Sequence, residues 1–158
     1  MPDSVDFLTK RLHSEGEKMV DFFRSLTPDQ WQLITYTEGA EWRIRDVMAH
    51  FVSAEQNFLR LFDDILSGGP GVSEEFSIDR FNISEVGKLQ SIEPASLLDE
   101  FVAVRQAMIA WVASIQDDDL QKPGRHPFLG ITTLAEMIKM IYRHNQIHYR
   151  DLRKLVEG

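Results

Sequence analysis

A chain of 158 residues with 43 % hydrophobic composition can close one ordinary core without disulfides, so a single domain over residues 1–158 is expected. Seventeen basic residues against 25 acidic ones leave a formal charge of −8 with scattered Lys and Arg; this argues against a polyanion partner, and no nucleic acid is expected. The lack of cysteine excludes a thiolate nucleophile or thiolate metal ligand from this chain and fits a reducing compartment.

Four stretches repeat apolar residues near the helical period and none of useful length alternates with period two, which predicts an all-α fold. The N-terminal stretch Met1 to Lys10 mixes acids with isolated apolar residues, unlike a secretory signal. No run approaches the roughly 18 to 20 apolar residues that span a bilayer, so a cytoplasmic protein with no membrane partner is expected. The first helix covers about Asp3 to Leu26, with Leu8, Leu12, Met19, Phe22, Phe23 and Leu26 on one side. Thr27-Pro28-Asp29-Gln30 then reads as a capping box opening a short helical turn through Trp31.

The second helix runs from about Arg43 to Leu66 on a stripe of Ile44, Val47, Phe51, Ala54, Phe58, Leu61 and Ile65, and Gly68-Gly69-Pro70-Gly71 stops it. Ser67 to Glu93 is far longer than the roughly 2 to 8 residues that join antiparallel neighbours in a bundle. That length allows a crossover, with a short helix inside Ser73 to Gln90, after which helix three runs parallel to helix two. Helix three starts near Pro94 and turns Leu97, Phe101, Val104, Met108, Trp111 and Ile115 inward. Helix four opens on the capping-box pattern Thr133-Leu134-Ala135-Glu136 and continues to about Val156. Arg143, Arg150, Arg153 and Lys154 suit the later turns of that helix, where cations complement its dipole.

His144 and His148 stand four residues apart on helix four, so both imidazoles project from one face a turn apart. His50 lies on the edge of the buried stripe of helix two, roughly 10 Å from its start, while His148 lies roughly 12 Å from the end of helix four. Antiparallel packing of helices two and four makes these heights level; parallel packing separates them too far for bonds of about 2 Å to one ion. The crossover supplies the antiparallel arrangement. Three neutral imidazoles would leave a coordination position for water or substrate, and zinc or nickel suits them. The same residues also fit packed, hydrogen-bonded histidines without metal.

Other polar residues have plainer readings. His126 lies in the loop before helix four, outside the set, and His13 is on a polar face. Asp46 suits the dipole at the start of helix two, with a hydrogen bond to His50 as the alternative. Trp42 reads as a packing anchor near the site, Glu55 as a helix-surface residue and Glu136 as a cap; Asn82 either caps a turn or faces the site. Tyr142 and Tyr149 flank the His pair on other faces. No G-x-S-x-G nucleophile elbow and no glycine-rich phosphate loop is present.

Trp42, Asp46-Val47 and His50, followed by Gly130, Thr133-Leu134, Glu136-Met137 and His144-Asn145-Gln146-Ile147-His148, resemble the DinB-like superfamily over essentially the whole chain. Asn82 also falls where many members place an asparagine, whereas Arg43 stands where a capping Ser or Thr is usual. The resemblance implies a four-helix bundle with a long crossover between helices two and three and a divalent metal on His50, His144 and His148. It also implies activation of a low-molecular-weight thiol, such as mycothiol or bacillithiol, or of water, against an electrophilic small-molecule substrate, as a thiol S-transferase or hydrolase. One branch of that family isomerises maleylpyruvate and many members have no known activity, so a non-catalytic metal-binding or stress-associated bundle is the alternative. A homodimer through exposed apolar helix surface is compatible with either.

Overall fold

The computed structural model describes residues 3–158. Residues 1 and 2, part of the stretch read above as carrying no secretory signal, lie outside the described residues. Its elements are α1 (Val5–Arg24), α2 (Pro28–Trp31), β1 (Ile34–Tyr36), β2 (Trp42–Arg43), α3 (Ile44–Leu66), α4 (Ile78–Lys88), α5 (Pro94–Ser114), a 3₁₀ turn (Asp117–Gln121), β3 (Pro123–His126), β4 (Gly130–Thr133) and α6 (Leu134–Glu157). No described helix is long and apolar enough to cross a membrane.

Local chemistry sets most helix starts. Ser4, Ser77 and Thr133 each accept the backbone N–H three residues on, and Thr27 and Gln30 form the reciprocal capping box expected from their spacing. Arg43 has no side-chain acceptor, so α3 makes only the returning half of such a box: Asp46 Oδ2 accepts the Arg43 N–H at 2.9 Å.

Cross-helix bonds fix the directions. Glu55 meets Arg105 and Asp63 meets Trp111, so α3 and α5 are parallel. Arg11 lies over Tyr142 and Phe22 packs on Tyr149, so α1 and α6 are also parallel. Tyr36, just before α3, bonds Asp151 near the end of α6; Lys122, whose carbonyl accepts the first N–H of α6, reaches the Leu66 carbonyl at the end of α3. Helices α3 and α6 are therefore antiparallel. The four-helix bundle runs up, down, down, up, with the long crossover between the second and third bundle helices that the connection length predicts.

The crossover is pinned at both ends. At its start, the Arg125 N–H donates to the Pro70 carbonyl at 2.9 Å and the Val72 N–H donates to the Arg125 carbonyl at 3.0 Å. Gly71 has φ +89°, and a Cβ there would lie 2.5 Å from the Arg125 backbone, so conformation and space both require glycine. At its far end, the buried Arg45 guanidinium donates to the carbonyls of Leu89, Gln90 and Ile92. Between these points α4 lies against α3.

Two short antiparallel hairpins, β1–β2 and β3–β4, are additions to the all-α expectation. Strands of two to four residues, the second pair interrupted by Pro or Gly, carry no readable alternation. They flank the site: the first supplies Tyr36 and Trp42, and the turn of the second supplies Pro127 and Phe128.

The core divides into two apolar clusters, one around Met19, Phe23, Phe51 and Phe101 and the other around Leu12, Phe62, Met108 and Ile138. Each fully buried Phe contributes roughly 1.5–3 kcal/mol by leaving water. Between the clusters lies a buried polar layer. Arg105 donates to both oxygens of Glu55 at 2.8 Å, to the Leu12 carbonyl at 2.9 Å and to Asn145 Oδ1 at 2.5 Å, joining all four bundle helices. Glu55 is thus a buried ion-pair partner and not the surface residue its sequence position suggests; its charge is tolerable there only because Arg105 matches it.

Candidate metal centre

Helix α3 carries His50 inward seven residues from its start, and α6 carries His144 and His148 on one face. Antiparallel packing brings the three together. His50 Nε2 and His148 Nε2 lie 2.9 and 3.0 Å from His144 Nε2, and the ligand atoms of all three residues fall within 4.8 Å of one another. Three nitrogens this close together can share one ion with bonds of about 2.1 Å after small shifts of the rings. The Phe51 ring backs His144 and His148 at 5.7 and 5.6 Å, and the Trp42 ring lies 5.1 Å from that of His50.

Burial keeps these imidazoles neutral. Desolvation, reinforced by the neighbouring His148, lowers the pKa of His50 to about 3. His144 is held well below its ordinary value, first by burial and then by the charges of His50, His148 and His126. Burial lowers His148 to about 4, with Asp151 pulling the other way. Neutral nitrogens are the form that ligates a cation.

A hydrogen-bond relay fixes the tautomer of His148. Tyr36 donates its single hydroxyl proton to Asp151 Oδ2 at 2.7 Å, so its oxygen accepts from His148 Nδ1–H at 2.8 Å. Nε2 is then the bare nitrogen, facing His144. His144 Nε2 thus meets two other ring nitrogens, and the single proton it could carry cannot point at both; a shared cation satisfies all three. The residues fit a divalent metal ion on these grounds. Burial and the Asp151 carboxylate raise the Tyr36 pKa above its ordinary value, which keeps the hydroxyl proton in place.

The other candidates separate clearly. Asp46 does not reach His50: its Oδ1 accepts from Gln90 Nε2 at 2.6 Å and its Oδ2 caps α3, so it ties the crossover to the helix carrying His50. The buried His50 Nδ1 has no partner among the described residues. His126 is buried, stacks on Phe58 at 5.1 Å and accepts the N–H groups of Phe128 and Leu129 at Nδ1; it is outside the three-histidine cluster. His13 is exposed beside Glu17. Glu136 receives only the half cap from Thr133, and its carboxylate pairs with Lys139. Tyr142 packs under Arg11 and Tyr149 against Phe22. Asn82, on α4, faces the site.

Two cavities meet at the histidines. One, of about 310 Å³, is walled by Phe58, Val72, Phe76, Phe81 and Phe128; the other, of about 570 Å³, is walled by Tyr36, Trp42, Glu38 and Asp79. His50, His144 and Asn82 line both. The sequence reading missed Tyr36 and Asp151. Asp151 had a signal, since it follows His148 by three residues on the same helix; Tyr36 lies in a strand too short to recognise.

The chain is thus a four-helix bundle whose crossover turns its middle helices parallel, with a three-histidine cluster on its inner face. The family model of the DinB superfamily matches residues 11–152, and the chain belongs to that superfamily. YfiT from Bacillus subtilis, described as a probable metal-dependent hydrolase with an unusual four-helix bundle topology, superposes with a TM-score of 0.78 at 18 % identity over 97 % of this chain and 86 % of its own. The colibactin self-resistance protein ClbS, crystallised in complex with a dsDNA, gives 0.76 at 19 % identity over 98 % and 96 %. The sibling lethal factor precursor DfsB gives 0.76 at 14 % over 99 % and 97 %. No curated protein matches the chain. The ClbS complex overturns the expectation of no nucleic-acid partner: net charge averages over the whole surface, and a member of this fold meets duplex DNA regardless.

Proposed function

We propose that this protein holds one divalent metal ion on His50, His144 and His148 and uses it as a hydrolase or thiol transferase on an electrophilic small molecule. The observation that carries the reading is the convergence of three neutral Nε2 atoms where two cavities meet. Zinc or nickel suits this all-nitrogen donor set. Such an ion acts as a Lewis acid and lowers the pKa of a bound water or thiol.

The chain's own residues supply the setting. Tyr36 and Asp151 hold the proton of His148 at Nδ1 and so orient its ring. Phe51, almost fully buried, backs His144 and His148 with an apolar ring, and Trp42 lies against the His50 ring. With no cysteine in the chain, a thiol nucleophile has to be brought in, whereas water needs no such carrier. The description of YfiT also puts hydrolysis first among the activities to assay.

A non-catalytic role draws its support from ClbS and DfsB, whose descriptions name a DNA complex and a lethal factor precursor rather than a reaction. Elemental analysis of untagged protein should find near one zinc or nickel per chain, lost in His50→Ala and His148→Ala; a wild type that stays empty after loading with either metal defeats the metal reading. Loaded protein is then offered ester, amide and epoxide substrates, with and without thiols, beside His144→Ala. Equal rates for the two proteins across that panel remove the enzymatic reading. Titration of the same sample with labelled duplex DNA measures the binding role directly.

A further inference from the structure

The two cavities differ in chemistry, and the difference points to a class of ligand. The smaller is a phenylalanine-walled chamber between α3, α4 and the β3–β4 turn; at about 310 Å³ it falls at the lower end of small-ligand sites, roughly 300–1,000 Å³. Its two charged lining residues, Arg60 and Asp64, are exposed and opposite in sign. The larger chamber has Glu38 and Asp79 on its wall, both exposed, and no Lys or Arg among its lining residues. Asn82 stands where the chambers join and makes no side-chain hydrogen bond among the described residues, leaving its amide donors and acceptor to a ligand.

We infer that the two chambers form one site for a neutral or cationic amphiphile, with an aryl or short alkyl group among Phe58, Phe76 and Phe81 and a hydroxyl- or amine-bearing half beside Glu38 and Asp79. A ring enters the first chamber because its walls are apolar and offer edge and face contacts. An ion on the histidines aside, an anionic head is disfavoured in the second, where it meets two carboxylates and no Lys or Arg. This rests on the metal reading only in taking the junction, at His50 and His144, as the reacting point.

The test compares 3-phenylpropylamine, 3-phenylpropanol, 3-phenylpropionate and propylamine by NMR titration of the full chain stripped with chelator, so that no carboxylate ligates a metal. Removing metal also separates the two ideas, since metal uptake is measured on the same preparation independently. The amine should bind on the order of fivefold tighter than the carboxylate, the size expected from two exposed charges. In Glu38→Gln/Asp79→Asn that preference should disappear with the affinity for the alcohol unchanged. Phe81→Ala should weaken all three aryl compounds roughly tenfold, with a circular dichroism spectrum showing the helices intact. The inference is overturned if propylamine binds as tightly as 3-phenylpropylamine, or if the carboxylate matches the amine, or if the amine preference survives in the double variant.

Discussion

Tyr36 does for the proposed metal centre what no residue of the histidine set can do for itself. Its hydroxyl connects His148 Nδ1 to Asp151, so that a single phenol decides which imidazole nitrogen is bare. Tyr36→Phe should lower zinc affinity about 10- to 100-fold, the usual loss on removing a hydrogen-bond partner of a ligand, as read by chelator competition. The fold should hardly change, because the ring stays; an unaltered zinc affinity would show that the relay has no part in binding. His126, outside the three-histidine set, offers a pH test. Burial depresses its pKa to about 4 from an unfolded value near 6.5, so the unfolded chain takes up the proton first as pH falls. Its contribution to stability is complete above that unfolded value and is lost as pH drops from about 6.5 toward 4, at up to about 1.4 kcal/mol per pH unit. His126→Asn keeps an acceptor for the Phe128 and Leu129 N–H groups and removes the titration. Urea unfolding of metal-free protein between pH 7 and 5 should therefore fall less steeply for the variant, and parallel curves would contradict the assignment.

Elements differ in how far their residues announce them. The long helices were readable because burial follows the apolar period: Leu8, Leu12, Met19 and Phe23 on α1, and Leu97, Phe101, Val104 and Met108 on α5, are all buried as their spacing requires. The crossover was readable from length alone, and with it the antiparallel meeting of His50 with His144 and His148. The hairpins were not, since strands of two to four residues are too short to show alternation, and the one long-range tie, the Gly71–Arg125 bridge, leaves no local pattern. Glu55 was misread because a lone carboxylate on a helix is usually solvated; its partner Arg105 lies on the apolar stripe of α5, four residues after Phe101 and three before Met108, and that position was the available clue. At this scale Gly71 is the test. Ala there takes a left-handed conformation and collides with the Arg125 backbone, so Gly71→Ala should destabilise by more than about 1 kcal/mol and loosen the start of the crossover. Hydrogen exchange at the Val72 and Arg125 amides reads it, and unchanged protection would mean that this joint does not hold the crossover.

The whole molecule has to settle one question that apolar packing answers poorly, namely how far α3 and α6 slide along each other. Stripes of Leu, Ile, Phe and Met repeat every turn, and a slip of one turn, roughly 5.4 Å, would re-form many apolar contacts while pulling apart Nε2 atoms now 2.9 Å from each other. The Arg105 layer does not tolerate such a slip, because a bidentate guanidinium–carboxylate pair and two further bonds to α1 and α6 are directional. It also lies at the height of the site, with Asn145 next to His144 and Glu55 five residues after His50. Arg105→Met leaves the Glu55 carboxylate buried without its partner and should cost about 3–5 kcal/mol in urea unfolding. Adding Glu55→Met removes the stranded charge, so the double variant should recover much of that stability. If the layer serves register as well as stability, the double variant will fold yet bind zinc less tightly than wild type, its two helices being free to settle in more than one alignment. Full zinc affinity in a well-folded double variant would assign register to the apolar stripes and the hairpins, and leave Arg105 a purely stabilising role.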